Sequence, residues 1–257
     1  MEVEYKSKEK IIDQYFSIYL CYPVFQVRKG EIVVVPCSRR LKEEYGWSHV
    51  VTIWIHIFRE RAVISVRPDL FEPLKKILIK TPEISELYTL EWRRKIGSLI
   101  HPEKTGDLVH ILYCPPERLQ LFENPLCRKL QDTDIDLYLK MKLDLYPAVE
   151  PNTLIRDIQR NIRDGIAFGV FEDKKLVSIA EAPAIGHMQD FIEELSVDTR
   201  PEYRKRGYGK VVVSQTTKAI LDIGRIPLYE CGFENEASIR LAKAVGYMEY
   251  GDIIEFY

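Results

Sequence analysis

A single stretch of the chain, FIEELSVDTRPEYRKRGYGK from Phe191 to Lys210, constrains the fold most strongly. Its first part, Phe191 to Val197, predicts a strand, because apolar residues alternate along it and β-branched residues are frequent. A polar turn with Pro201 follows, then a basic segment with two glycines, and then an apolar run that predicts a helix to about Ile223. Glycines let the backbone approach an anion, and the first N–H groups of a helix have no partner within it. The stretch therefore predicts a phosphate-binding loop.

Two common phosphate-binding motifs do not fit this loop. A P-loop would need glycine where Arg204 stands and Ser or Thr where Val211 stands, and the dinucleotide fingerprint would need a third glycine in place of Val212. The pattern that does fit is R-x-x-G-x-G, from Arg204 to Gly209, directly after the strand and at the start of the helix.

The composition of the 257-residue chain is that of an ordinary globular protein, with 46% apolar and 30% charged residues. A chain of this length can form one large or two medium domains. The formal net charge of −2 gives no overall positive field, so we expect no nucleic-acid partner. The charged N-terminus, and the absence of a long uninterrupted apolar run, predict no signal peptide, no membrane partner and a cytoplasmic location.

Cysteine and histidine spacing predicts neither a disulfide framework nor a metal site. We expect reduced and mostly buried thiols, because the cysteines are odd in number and no C-x-x-C occurs. The histidines lack the spacing of metal ligands and are interpreted as surface or core residues. The residues concerned are Cys21, Cys37, Cys114, Cys127, Cys231, His49, His56, His101, His110 and His187.

The segment PPERLQLFENP, from Pro115 to Pro125, carries three prolines and is interpreted as a connector between domains. Residues 1–120 alternate predicted helices and strands, which indicates a smaller α/β domain whose role the sequence does not reveal. Residues 121–257 form a second predicted domain with the order β-α-α-β-β-β-α-β-α-β.

That order, together with two motifs, resembles the GNAT N-acetyltransferase superfamily. The first motif is R-x-x-G-x-G, and the second is FENEASIRLAKAVGY, from Phe233 to Tyr247, which predicts a helix that ends in glycine and an aromatic residue. The resemblance implies an α/β (α+β) fold in which a mixed, mostly antiparallel sheet binds acyl-coenzyme A. The first half of the chain is similar to the branch with an extra N-terminal domain, which includes zwittermicin-resistance acetyltransferases.

The resemblance implies acetyl-CoA as cosubstrate and no metal. It assigns the pyrophosphate to the loop and helix start, and the pantetheine arm to the exposed backbone of the preceding strand. The Val197 amide is then the donor to the thioester carbonyl, where it would stabilise the oxyanion. Asn235 and Ser238 are further candidate contacts, although Asn235 alternatively caps the last helix. The full set of implied cofactor-binding residues is Leu195, Ser196, Val197, Arg204, Lys205, Arg206, Gly207, Tyr208, Gly209, Lys210, Asn235 and Ser238.

The resemblance also implies a carboxylate on this strand as general base, acting through water on the amine. Glu193 is the first candidate, because it precedes Val197 by four residues and strand alternation puts both on one face. Glu194 points to the other face and is the second candidate. The alternative is that both are solvated charges at the end of the strand or carboxylates that bind the substrate.

The position of the general acid departs from the family pattern. The usual tyrosine lies in a Leu-Tyr pair seven residues after the asparagine, but this chain has Leu241-Ala242. Tyr247, Tyr229 and water all stay open as the proton donor to the thiolate.

Two functions follow as hypotheses. The first is an acyl-CoA-dependent N-acetyltransferase in which an amine attacks acetyl-CoA directly within a ternary complex. The alternative is a non-catalytic acyl-CoA-binding sensor or interaction protein, which Ala242 at the acid position favours. A small amine, an antibiotic, an amino acid and a protein N-terminus stay open as acceptors, and a homodimer is considered.

Overall fold

The computed structural model describes residues 2–43, 49–80, 82–186, 188 and 190–257. His187 therefore lies outside the described residues. The helices are α1 (Glu2–Tyr19), α2 (Phe71–Ile77), α3 (Leu90–Gly97), α4 (Ile135–Leu145), α5 (Pro151–Arg163), α6 (Tyr208–Asp222) and α7 (Glu236–Val245). The strands are β1 (Ile32–Pro36), β2 (Ile53–Phe58), β3 (Arg61–Val66), β4 (Asp107–Tyr113), β5 (Cys127–Lys129), β6 (Ile166–Glu172), β7 (Lys175–Ala182), β8 (Ile192–Glu194), β9 (Ser196–Thr199), β10 (Ile226–Gly232) and β11 (Met248–Phe256).

The chain forms two compact units that interleave along the sequence. The first contains Met1–Ile111, Cys231–Asn235 and Glu249–Tyr257, and the second contains Leu112–Glu230 and Glu236–Met248. The predicted domains, 1–120 and 121–257, are contiguous instead, and that division stays a prediction.

The first unit is built on the hairpin of β2 and β3. Arg59 and Glu60 connect the two strands, both with positive φ, which is the backbone conformation that a tight two-residue hairpin requires. Strand β1 pairs with β3 in parallel and β11 pairs with β2 in antiparallel. All residues of β2 are buried, and one face of the strand packs against apolar side chains of α2 and α3, such as Leu74 and Ile96. Burial of this face stabilises the unit.

The second unit contains an antiparallel sheet in the order β5-β6-β7-β9 and a parallel pair of β8 with β10. Helices α4 and α5 cover one face of the antiparallel sheet, where Tyr138, Met141, Ile158 and Ile179 share a core. Helix α6 packs on β6 and β7, and the Thr216 hydroxyl donates to the Ala180 carbonyl at 3.2 Å. The predicted mixed α/β fold with mostly antiparallel pairing is confirmed.

The predicted continuous strand from Phe191 to Val197 is wrong. The chain instead forms β8 and β9, which have different partners, with Leu195 between them. The alternation of side chains continues across this point, so the sequence pattern gives no sign that the partner strand changes. Strand β8 thus pairs with β10, whereas β9 pairs with β7. We call the point at Leu195, where the chain leaves one sheet and enters the other, the parting of β8 and β9.

The thiols and the helix lengths were also subjects of sequence-based predictions. The cysteines are free thiols, and the sulfur atoms of Cys21 and Cys37 lie 2.6 Å apart in the first unit. Among the helices that the structure describes, none is long and apolar enough to cross a membrane.

Candidate functional site

The parting of β8 and β9 is the central feature of the candidate site. The Leu195 amide donates to the Leu228 carbonyl of β10 at 3.2 Å, which continues the pairing of β8. The next residue, Ser196, begins β9 and lies opposite Glu181 on β7. Among the described strands, β9 is the edge of its sheet. Alternate residues of an antiparallel edge strand direct their N–H and C=O groups away from the neighbouring strand. The outer side of β9 can therefore bind an extended ligand through its backbone.

The backbone of the loop between β9 and α6 leads directly into the helix start that the sequence predicts. Lys205 has a φ of 63° and Gly207 a φ of 85°, so both lie in the left-handed region. Gly207 directly precedes α6, and its carbonyl accepts the amide of Lys210 at 3.0 Å. A Cβ at Gly207 would meet nothing within 4 Å, so φ and not space favours glycine there. The first amides of α6 thus lie at an exposed turn, where the helix dipole favours an anion.

Gly209 differs from Gly207, because its φ is not positive. A Cβ there would lie 3.4 Å from Leu241 of α7 and 3.7 Å from the Thr199 hydroxyl, which are ordinary contacts. Neither backbone strain nor a steric clash within the protein therefore requires glycine at this position. A ligand that approaches the first turn of α6 closely would supply such a requirement.

The cationic side chains of the loop differ in the groups that they contact. Arg204 is exposed and donates from Nε to the Thr199 carbonyl at 3.2 Å. Arg206 donates to Glu172 Oε1 at 3.1 Å, and the Tyr208 hydroxyl donates to the other oxygen of the same carboxylate at 2.6 Å. Lys205 and Lys210 are exposed, and the Lys210 ammonium lies 5.5 Å from the ring centre of Phe122. The sequence predicted these cations but not the carboxylate of Glu172 beside them.

The predicted base Glu193 is almost completely buried, with 2% of its side chain exposed. Its Oε2 accepts from Arg225 at 2.5 Å, whereas its Oε1 has no hydrogen-bond partner among the described residues. Burial raises the pKa of Glu193 to about 7, against the opposing effect of the Arg225 guanidinium. The alternative that Glu193 is a solvated charge at the end of the strand is wrong. Glu194 is half-buried on the same strand.

A second buried carboxylate, Glu181 on β7, was not identified from the sequence. Its Oε1 accepts from Lys142 at 2.7 Å and from the Ser196 hydroxyl at 3.2 Å, and its Oε2 accepts from Asn161 at 3.1 Å. Lys142 also binds Asp198 at 2.7 Å. Burial and the Asp198 carboxylate raise the pKa of Glu181 to about 8, and the hydrogen bond from Ser196 opposes the rise.

The candidate general acids have different surroundings. The Tyr229 hydroxyl lies 2.7 Å from that of Ser238, which is one of the predicted cofactor contacts. Tyr247 is buried with its hydroxyl 2.7 Å from that of Thr217, and burial raises its pKa well above the ordinary value. Ala242 is completely buried in α7. Asn235, which directly precedes α7 in the sequence, belongs to the first unit.

The site therefore combines a parted pair of strands, a glycine loop at a helix start and buried carboxylates with raised pKa values. The first two features are suited to an elongated ligand with a phosphate group, and the third can take up protons near neutral pH. No group of three or more His, Cys, Asp or Glu residues that could hold a metal ion occurs in the part of the chain that the structure describes.

Comparison with known proteins gives a family match. A family model for GNAT acetyltransferases matches residues 130–252. An acetyltransferase from the GNAT family of Colwellia psychrerythraea is 15% identical, with a TM-score of 0.50 over 59% of this chain and 56% of that one. A GNAT-family structure from Novosphingobium aromaticivorans is 22% identical, with a TM-score of 0.48 over 58% of this chain and 62% of that one.

The chain thus spans less than two thirds of the length of these solved structures. At 15% identity, the similarity to the Colwellia psychrerythraea structure shows the fold alone. No match was found among curated proteins.

Proposed function

Because residues 130–252 form a domain of the GNAT acetyltransferase family, we propose that this chain transfers an acetyl group from acetyl-CoA to an amine. The observation that carries the proposal is the parting of β8 and β9 directly before the glycine loop and α6. The backbone of the edge strand β9 and the start of α6 follow each other along the chain. The first can pair with the pantetheine arm of acyl-CoA, and the second can bind its pyrophosphate.

The cosubstrate is assigned to these features in order. The pyrophosphate binds the first amides of α6, with Arg204, Lys205 and Lys210 as the cations around it. The pantetheine arm pairs with the outer side of β9, beyond Leu195. This placement brings the thioester to the point where the strands part, and it makes the Val197 amide the donor to the thioester oxygen.

The reaction is a direct attack within a ternary complex. An amine must be neutral to attack, although a free alkylamine has a pKa of roughly 10. The nitrogen forms a C–N bond to the thioester carbon, the C–S bond breaks, and the thiolate takes up a proton to leave as coenzyme A. Glu193 is the predicted base, and its pKa near 7 suits that role. Tyr229 is a candidate proton donor to the thiolate, because it lies on β10, the strand that pairs with β8 beside the parting.

The second candidate function is an acyl-CoA-binding sensor that does not catalyse transfer. The observation that favours it is Ala242, which leaves no hydroxyl at the position of the usual acid. The acceptor amine, the cytoplasmic location and a homodimer stay predictions.

A turnover assay separates the two functions. Release of coenzyme A from acetyl-CoA is followed with putrescine, L-lysine, kanamycin and a tripeptide with a free N-terminus, and products are identified by mass spectrometry. We expect an acetylated product with at least one amine class and none with a Gly207→Glu variant. Saturable acetyl-CoA binding without product from any amine would support the sensor instead.

A further inference from the structure

We propose that Glu181 is the group that accepts the proton of the incoming amine, and that the hydroxyl of Ser196 conducts the proton to it. The inference rests on the proposed acetyl transfer and names a residue for a step that the sequence assigned to Glu193. It is carried by the place of Glu181 at the parting of the strands and by the charges around it.

The position of Glu181 is fixed by the register of β7 with β9. Glu181 lies opposite Ser196, the first residue after the point where the strands part. The Ser196 side chain is exposed, whereas only 9% of the Glu181 side chain is exposed. The Ser196 hydroxyl donates to Glu181 Oε1 at 3.2 Å, so it connects the surface of the strand to a buried acceptor.

In the cluster around Glu181, one ammonium group is shared by two carboxylates. Lys142 of α4 contacts both Glu181 and Asp198 at 2.7 Å, and its own side chain is only 12% exposed. Neutral donors complete the cluster: Asn161 of α5 binds Glu181, and the Tyr146 hydroxyl binds Asp198 at 2.6 Å. With both carboxylates ionised, the cluster would carry an excess negative charge at a largely buried position, so uptake of one proton is favourable.

The cluster also lies on the face of the sheet that α4 and α5 cover. Helix α6, which follows the phosphate-binding loop, packs on β6 and β7 through other residues, such as Thr216 against the Ala180 carbonyl. The side chains of Lys142 and Asn161 reach Glu181 from those two helices, and the Tyr138 hydroxyl lies 3.3 Å from Asn161. An amine that approaches Ser196 from this side would meet a proton acceptor without displacing the cosubstrate from β9.

Glu193 is held in a different direction. Its residue partner on β10 is Pro227, and its carboxylate binds Arg225, which precedes β10. The contact therefore points toward the beginning of β10, away from Leu195 and the opening of the strands. The ion pair makes Glu193 a stabilising link between β8 and the segment before β10.

The proton step balances as follows. An ammonium acceptor gives one proton to Ser196 Oγ as the hydroxyl proton moves to Glu181 Oε1, and the amine becomes neutral. The amine forms the C–N bond while the C–S bond breaks, and its second proton balances the thiolate as the free thiol. Glu181 then releases its proton to solvent, which restores the carboxylate for the next turnover.

The test is the pH dependence of turnover in matched variants, with the amine panel and acetyl-CoA described above. The wild type is expected to gain rate with an inflection near pH 8, where Glu181 ionises. Glu181→Gln is expected to lose the inflection and about 100-fold in kcat. It keeps the size of the side chain and leaves Lys142 paired with Asp198. Ser196→Ala is expected to lose about 10-fold in kcat, and Ser196→Thr to recover most of it because the hydroxyl returns.

A control variant removes a hydroxyl from β7, the strand of Glu181. This hydroxyl donates to the backbone carbonyl of Asp198 at 3.3 Å and contacts no side chain of the cluster. Ser178→Ala deletes a buried group that contacts the Thr199 hydroxyl at 2.8 Å, and we expect it to keep the wild-type pH profile. Acetyl-CoA affinity, measured by calorimetry, should change less than about 2-fold in Glu181→Gln, because the residue contacts no predicted cofactor group except the Ser196 hydroxyl.

Two results would overturn the inference in distinguishable ways. An unchanged pH profile in Glu181→Gln, with loss of the inflection in Glu193→Gln, would return the role of proton acceptor to Glu193 and leave acetyl transfer intact. A wild type that binds acetyl-CoA but forms no product would remove the reaction and this step together.

Discussion

The Tyr208 hydroxyl donates a 2.6 Å hydrogen bond to Glu172, so the last residue of β6 holds the first residue of α6. The same carboxylate binds Arg206 at 3.1 Å. An acidic side chain therefore stands beside the loop that we assign to pyrophosphate, and it neutralises one of the nearby cations.

We predict that Glu172→Gln binds acetyl-CoA about 2- to 5-fold more tightly at low salt, because a negative charge near the pyrophosphate is removed. The gain should shrink in 0.5 M salt, where the Debye length is only about 4 Å. Calorimetry at two salt concentrations measures both effects. Asp222→Asn, which removes a charge at the other end of α6, is the control. Weaker binding by Glu172→Gln would show that holding Arg206 and Tyr208 in place matters more than repulsion.

A second prediction concerns the buried ion pair of Glu193 with Arg225. Arg225→Gln leaves the carboxylate without its cation, so we expect a loss of about 3 kcal/mol in the free energy of unfolding. The pKa of Glu193 is already raised, so the folded state binds more protons than the unfolded state above pH 4.5, and stability falls as pH rises toward 7. Without Arg225 the pKa rises further and the fall extends to higher pH.

Urea denaturation at pH 6 and pH 9 measures this effect. The loss in Arg225→Gln should be larger at pH 9, by about 1.4 kcal/mol for each unit of additional rise in the pKa. The double variant with Glu193→Gln should recover most of the loss at pH 9, since no buried charge is left unpaired. Equal losses at both pH values would mean that removal of Arg225 does not raise the pKa of Glu193 further.

A third prediction concerns His56 in the first unit. Its ring stacks on Phe16 at 4.1 Å and Phe58 at 4.8 Å between ring centres, and neither ring nitrogen has a hydrogen-bond partner among the described residues. Burial, together with the charge of Arg59, lowers the pKa of His56 to about 3. The unfolded state therefore binds more protons between pH 6.5 and 3, so stability is present at neutral pH and is lost as pH falls through that range.

His56→Leu should remove this part of the acid sensitivity. The free energy of unfolding of the wild type minus that of the variant should be about 2 kcal/mol lower at pH 5 than at pH 8. The reason is that each pH unit below 6.5 costs the wild type about 1.4 kcal/mol. Denaturant titrations at the two pH values test the prediction. A difference that does not change with pH would mean that His56 finds a partner for its proton when folded.

A fourth prediction separates two glycines with positive φ in the second unit. A Cβ at Gly246 would lie 2.1 Å from the Arg118 carbonyl oxygen, whereas a Cβ at Gly224 would meet nothing within 4 Å. Gly246→Ala should cost at least about 3 kcal/mol, from strain and clash together, and Gly224→Ala only about 1 kcal/mol. Thermal denaturation of the two variants provides the comparison. Similar small losses would show that the segment at Arg118 can shift to make room.

The sequence predicted the parts of the site that lie close together along the chain. The glycine loop, the helix start of α6 and the strand before them form one continuous stretch, so their residue types and spacing carry the information. The family resemblance depended on the same stretch and on the segment from Phe233 to Tyr247.

The cluster around Glu181 could not be predicted in this way. Its contacts join residues 39 and 56 positions apart, from Lys142 to Glu181 and to Asp198, and each residue alone has the pattern of an ordinary surface charge. The ion pair of Glu193 with Arg225, 32 positions apart, was missed for the same reason. The break between β8 and β9 was missed because side-chain alternation does not record which strand is the partner.

The binding of acetyl-CoA by calorimetric titration tests the central proposal most directly. Gly207→Glu places bulk and negative charge at the predicted pyrophosphate site, and Gly224→Glu places the same group at the other end of α6. The two glycines are matched, because both have positive φ, 85° and 79°, and open space at the Cβ position. We predict saturable binding of acetyl-CoA and desulfo-CoA by the wild type and by Gly224→Glu, and loss of both by Gly207→Glu. No binding by the wild type, or equal binding by Gly207→Glu, would contradict the assignment of this loop to coenzyme A.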